Sequence, residues 1–315
     1  MNESYIQQLE TKACDIVFSA TADQDYENQL TQQLIFLTLG KLILKANVPA
    51  IEEKLYRLLS EVPISFQKEL EKPGIHRNIP IYRKLRNKKY FQGVKTSILI
   101  RREANPTYLL AVLAHEEDHA FNEGTSRIDR NQNKVVYRTG FKIIKSQYES
   151  ALGNGSGMKI RNFAIEELCT VRQSQRMRDV AVQLKNVNLK YLGKLTNQIE
   201  PQAWYLGYPT LRTVANDLFL YLEPMLEDAR QSGNLDHVAN MYNQVVKREN
   251  AFETVTKRLD RLYKNEINQV QGVEAMEGLE PQSKQVEKEK IHQDIQFFNT
   301  QYKKRQTIVD RGKIR

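Results

Sequence analysis

Two histidines four residues apart stand in the run His115-Glu116-Glu117-Asp118-His119, an HExxH pattern. On a helix both imidazoles share one face and can bind one tetrahedral zinc ion. Glu116 is turned about 100° around the axis from the first histidine, within reach of a water on that metal. The chemistry is metal-assisted hydrolysis. The ion lowers the pKa of water towards neutrality and polarises a carbonyl, while Glu116 takes the water's proton and later returns it to the leaving amine. The plainer alternative is a pair of solvated histidines on an acidic helical turn. The chain holds three further histidines, His76, His237 and His292.

Such a pair needs a rigid helix, and the flanking residues predict one over 106–122. Asn105 reads as an N-cap before Pro106 at the first helical position, and Gly124 stands where a C-terminal cap would fall. Residues 94–102 predict a strand ahead of it, because Thr96, Ile98 and Ile100 alternate with Ser97 and Leu99. Residues 135–144 read as extended, and the glycine-rich 153–157 as a loop leading to a helix from about Asn162.

Upstream, 3–71 predict helices. Leu30, Leu34, Leu37, Leu39, Leu42 and Leu44 fit a buried one, and Ile51, Leu55, Leu58 and Leu59 a second after Pro49. Downstream, Leu211, Leu218, Leu222 and Met225, then Phe252, Val255, Leu259 and Leu262, keep helical spacing. The expected class is α+β, mostly α. It falls into a helical N-terminal unit (1–71), a core (72–271), and a polar linker with a basic helical tail (272–315).

A hydrophobic fraction of 40% excludes disorder throughout the 315 residues. The net charge of +9 has one address: residues 68–102 hold eleven Lys or Arg against Glu69 and Glu71. Within this stretch, Tyr82, Tyr90 and Phe91 stand among the cations, a mixture that can bind phosphates and stack bases. The alternatives are a solvated face, or one that recognises an acidic region of a protein substrate. The basic end, 303–315, reads as solubilising.

Cys14 and Cys169 form no CxxC pair, so neither a disulfide framework nor a thiolate metal site is expected, and reduced thiols are the default. The N-terminus carries no export pattern, and the longest apolar stretch, 34–44, is short for a bilayer and holds Lys41. A cytoplasmic protein without a membrane segment is expected, with signal-independent secretion and the oligomeric state left open.

With its strand, capped helix and HExxH, the chain resembles the zincin metallopeptidases over roughly residues 90–225. In that superfamily an edge strand precedes the HExxH helix and binds extended substrate. The resemblance therefore implies a zincin-like core with a short edge-strand sheet, a Zn2+ cofactor and a protein or peptide substrate. A metzincin would need glycine and histidine where Asn122 and Thr125 stand. Peptide deformylases share an aspartate before the second histidine, as Asp118 does, but their upstream cysteine box is missing here.

The gluzincin pattern takes a glutamate from a later helix, and residues 162–170, NFAIEELCT, are similar to its NEGxTE helix. Aligning Glu167 and Thr170 with that motif makes Glu167 the third zinc ligand beside His115 and His119. Glu166 is the adjacent alternative, and Asp129 a rival through a faint aspzincin likeness.

The chain departs from the pattern at four places. Glu117 and Asp118 are charged where the stricter signature prefers uncharged residues, Leu168 replaces the glycine, and Val171 stands where some gluzincins place an aspartate that orients a histidine. Tyr208, with Tyr205 as alternative, matches the phenol that many zincins use to stabilise the oxyanion, although a packed aromatic near Trp204 is the plainer reading. The expected function is a zinc-dependent metalloendopeptidase with Glu116 as base. The alternative is a non-enzymatic nucleic-acid or protein binding module using the basic stretch 77–102.

Overall fold

Apolar spacing folds the N-terminal segment of the computed structural model into α1 (Glu3–Ala20), α2 (Asn28–Leu44) and α3 (Ile51–Glu61). The structure describes residues 2–70, 72–85, 88–102, 105–122, 124, 127–129, 134–147, 159–204, 209–271 and 281–313. Helix α2 opens with polar, partly exposed residues, but each residue from Leu34 to Leu42 is buried, Lys41 included.

Next come β1 (Ile64–Gln67), β2 (Gly74–Leu85) and β3 (Lys88–Arg101), in the order β1-β3-β2. β1 runs parallel to β3, and β2 antiparallel to it with Gly74 opposite Ile100 and His76 opposite Ile98. The strand predicted over 94–102 is the second half of β3, but it is not the edge strand expected ahead of the HExxH helix: pairing with β1 on one side and β2 on the other makes it the central strand. Ile98 and Ile100 belong to the same core as the next helix, α4 (Pro106–Phe121). The Asn105 side chain caps α4, its Oδ1 accepting from the amides of Thr107 (2.9 Å) and Tyr108 (3.1 Å). Gly124 differs from its expected role. Its amide donates to the Arg138 carbonyl at 2.9 Å, so the chain leaves α4 into a sheet rather than closing the helix.

That sheet is a meander of β4 (Arg127–Asp129), β5 (Lys134–Thr139), β6 (Lys142–Gln147) and β7 (Lys159–Arg161). The extended run predicted over 135–144 is thus two strands with a turn at Gly140, whose φ of +52° suits glycine. A Cβ there would also collide with the Glu166 carboxylate, 2.0 Å away.

Then follow α5 (Phe163–Leu184), α6 (Gly193–Gln198), a 3-10 turn (Pro201–Ala203), α7 (Pro209–Ser232), α8 (Asp236–Val246), α9 (Ala251–Gln271) and α10 (Pro281–Lys313). Residues 281–290, read as linker, are the opening of α10. Further along the same helix, Ile291, Ile295 and Phe298 are fully buried with Leu222, Tyr242 and Leu259. Tertiary packing makes a helix of a stretch whose local composition does not demand one. The glycine-rich loop and residues 272–280 lie outside the described residues.

The chain divides into two compact units, each discontinuous in sequence: Met1–Phe121 with Thr170–Leu206, and Asn122–Cys169 with Gly207–Arg315. Each has its own apolar core. The fold is α+β and mostly helical. Among the described residues, no helix is long and apolar enough to cross a membrane.

Candidate metal centre

Helix α4 carries the HExxH run, and its i, i+4 spacing sets the two imidazoles edge to face with ring centroids 4.9 Å apart. His119 is buried and His115 partly exposed. Between them Glu116 reaches the start of β2, where its Oε2 accepts the His76 amide at 2.7 Å. Gly74 makes that approach possible. A Cβ at position 74 would lie 2.6 Å from Val112 and 2.8 Å from Glu116, overlapping both. The His76 ring stacks on that of His119, with centroids 5.9 Å apart and planes 21° apart.

The acidic pair inside the motif faces α2. Glu117 is fully buried and Asp118 nearly so, and the Lys41 ammonium lies 3.6 Å from a Glu117 oxygen and 3.8 Å from one of Asp118. It also stands 5.0 Å over the Phe121 ring. Burial lifts the Glu117 carboxyl above the ordinary carboxylate range, Lys41 pulls it back, and Asp118 pushes it up again.

Helix α5 supplies the remaining groups. His115, His119 and Glu167 bring one ligand atom each to within 4.8 Å of one another. Thr170, one turn beyond Glu167, sets its hydroxyl 3.4 Å from Nδ1 of His119. A hydroxyl accepting from Nδ1–H selects the tautomer whose Nε2 lone pair is free for a metal. This contact comes from the residue just before Val171.

Glu166 is committed elsewhere. Its carboxylate receives the Arg230 guanidinium, at 2.5 Å for the shortest contact, and the Phe141 amide at 2.9 Å, all of it buried. Asp129 is on β4, but its side chain lies outside the described residues, as do Tyr205 and Tyr208. So do the side chains of the basic run 82–91.

The donor set fits zinc. Two imidazole nitrogens and one carboxylate oxygen are ligands of a catalytic type that leaves the fourth position to water. A tetrahedral zinc site has ligand atoms about 3.4 Å apart, closer than the 4.8 Å that bounds these three. Sequence reasoning missed three residues here. His76 was one histidine among five, Thr170 served only to align a motif, and Lys41 was a charge in an apolar stretch. The signal for Lys41 was available, since a lysine in a predominantly apolar run such as 34–44 needs a buried anion. No family model, curated protein or solved structure matches the chain.

Proposed function

We propose that the protein is a zinc-dependent metalloendopeptidase of gluzincin type. The observation that carries the reading is the convergence of His115, His119 and Glu167 within 4.8 Å, with Glu116 beside them on the same helix. A zinc ion bound there supplies a Lewis acid that makes a water acidic near neutral pH and polarises the scissile carbonyl.

The chain's own groups do the rest. Glu116, held by the His76 amide, accepts the proton of the attacking water and delivers it to the leaving nitrogen. Thr170, with its hydroxyl 3.4 Å from Nδ1 of His119, can accept from Nδ1–H and so leave Nε2 for the metal. β2 is an edge of its sheet, and apart from the His76 amide, which Glu116 already takes, its backbone can pair with an extended peptide. The cationic residues of β2 and β3 suit an acidic region in that substrate.

Zinc content by mass spectrometry tests the reading. About one zinc per chain is expected, lost in His115→Ala and weakened in Glu167→Gln. Glu116→Gln is expected to keep its zinc and to lose hydrolysis of unfolded protein substrates. No bound metal after supply of zinc, or full turnover in Glu116→Gln, overturns the proposal.

A further inference from the structure

We infer that the paired strands β2 and β3 form a DNA-binding arm, a two-stranded ribbon that lies in the major groove of duplex DNA; this function needs neither the metal nor the hydrolysis proposed above. The third strand of the sheet is short. β1 pairs with β3 over Ile98–Arg101, whereas β2 and β3 stay paired from Gly74 opposite Ile100 to Leu85 opposite Lys88. From Arg77 opposite Ser97 outward the sheet is therefore two strands wide, over nine residues of β2. At about 3.4 Å per residue that ribbon is about 30 Å long.

Its two faces differ. Gly74 and His76 face α4: a Cβ on Gly74 would meet Val112 and Glu116, and the His76 ring stacks on that of His119. Successive residues of a strand point to opposite faces. Arg77 and Ile81, with Lys95 in register opposite Ile79, therefore fall on the face away from α4, and all three are exposed.

Charge selects what lies there. From Lys72 to Arg102 the chain has no Asp or Glu, so the six cations that the two strands carry between Arg77 and Lys95 have no acid of the ribbon to balance them. Lys84 stands opposite Lys89. Like charges directly across a ladder weaken it, and two strands alone are marginal in water. A dense polyanion relieves that repulsion. Duplex DNA offers one charge per about 1.7 Å of axis, about twice the density of an extended peptide in which every residue is acidic, which favours DNA over an acidic protein segment. Its major groove, about 12 Å wide, admits a two-stranded ribbon. The bulge between Ile81 and Tyr82 adds to the ribbon's right-handed twist, the hand of the groove it follows.

The test uses the full chain and a fluorescein-labelled DNA duplex of about 20 mixed-sequence base pairs, with anisotropy read between about 50 and 300 mM KCl. With about 0.9 counterions released per phosphate contacted, six cations give an expected slope of log affinity against log salt of about −5. The triple variant Lys84→Gln, Lys88→Gln, Lys89→Gln should flatten that slope by about 3 and weaken binding at about 0.1 M salt several hundred-fold. The double variant Arg77→Gln, Lys95→Gln should flatten it by about 2 and weaken binding about 50-fold. A urea midpoint of Trp204 fluorescence no lower than that of wild type shows a variant to be folded, and either folded variant suffices. Duplex RNA of the same length, whose major groove is too deep and narrow to enter, should bind at least about 10-fold more weakly.

Failure of the wild type to bind the DNA at about 50 mM salt overturns the inference. So does a wild-type slope and affinity in the folded variants, which would assign the binding to another surface such as the basic end, 303–315. Duplex RNA bound as tightly as DNA overturns it by excluding the groove. Polyglutamate that displaces the DNA at equal charge concentration overturns it as well, and gives the ribbon to an acidic region of a protein.

Discussion

Replacing Lys41 with methionine tests how the HExxH helix is held. The lysine ammonium lies 3.6 Å from Glu117 and 3.8 Å from Asp118, and the three side chains are between 1% and 5% exposed. Methionine nearly conserves the volume, so the cavity contribution is small. The electrostatic one is not. Removing one partner of a buried ion pair costs about 3–5 kcal/mol, because the remaining charge stays desolvated.

The cost depends on pH. Burial raises the folded-state pKa of Glu117, with Lys41 opposing the rise. A raised carboxyl favours the folded state fully below its unfolded value, about 4.3, and that contribution fades as the pH climbs through the folded value. Without Lys41 the folded value climbs further. The deficit of the variant is therefore largest above neutrality and shrinks as acid protonates Glu117.

Trp204 provides the assay. It is the single tryptophan, is buried, and donates from Nε1 to Ser174 at 3.0 Å within the unit that holds Lys41. Urea unfolding followed by its fluorescence, with a chelator present to remove metal linkage, should show a midpoint lowered by about 2 M at pH 8, taking a slope of about 2 kcal/mol per M. The shift should be smaller at pH 5. In the double variant Lys41→Met, Glu117→Gln, most of the loss should return. A shift at pH 8 under about 0.5 M, a shift independent of pH, or strictly additive single variants would refute the account.

Two further outcomes are expected. Thr170→Val keeps the side-chain shape but removes the hydroxyl at His119 Nδ1; zinc affinity, measured by competition with a chromophoric chelator, should fall about 10- to 100-fold, and an unchanged affinity would show that the hydroxyl does not orient the ring. Arg230→Met leaves the buried Glu166 carboxylate without its guanidinium. A loss of about 3–5 kcal/mol is expected in thermal unfolding, and a variant as stable as wild type would contradict the pairing.

What could be read from the sequence was what is local. α4 was legible because an Asn-Pro start and a four-residue histidine spacing are signals within one helix. The second half of β3 was legible from its alternation. β2 was not: its sequence, GIHRNIPIYRKL, mixes charges with Pro80, and only pairing with β3 makes it a strand. The start of α10 failed for the same reason, since its helix is secured by Ile291, Ile295 and Phe298 further along. Within the site, the two histidines follow from spacing, whereas Glu167 is 48 positions beyond His119 and was placed by a motif likeness alone. His76 is 39 positions upstream of His115, and no pattern in one dimension brings it to the His119 ring.

The buried charges of the HExxH run make physical sense together with Lys41. Two acids inside a buried helix and a lysine inside the buried stretch of another would each be costly alone, because an isolated buried charge loses its hydration and gains nothing. Placed 3.6 to 3.8 Å apart, they constrain how α2 meets α4. A rotation or a one-residue slip of either helix would part the charges and bury each of them unpaired. A purely apolar contact would tolerate such a slip better, since apolar attraction is not directional. The proposed hydrolytic site would depend on this kind of constraint. His115, Glu116 and His119 sit on the opposite side of the same turns, and a shift of about 1 Å in such groups can cost a factor of about 100 in rate.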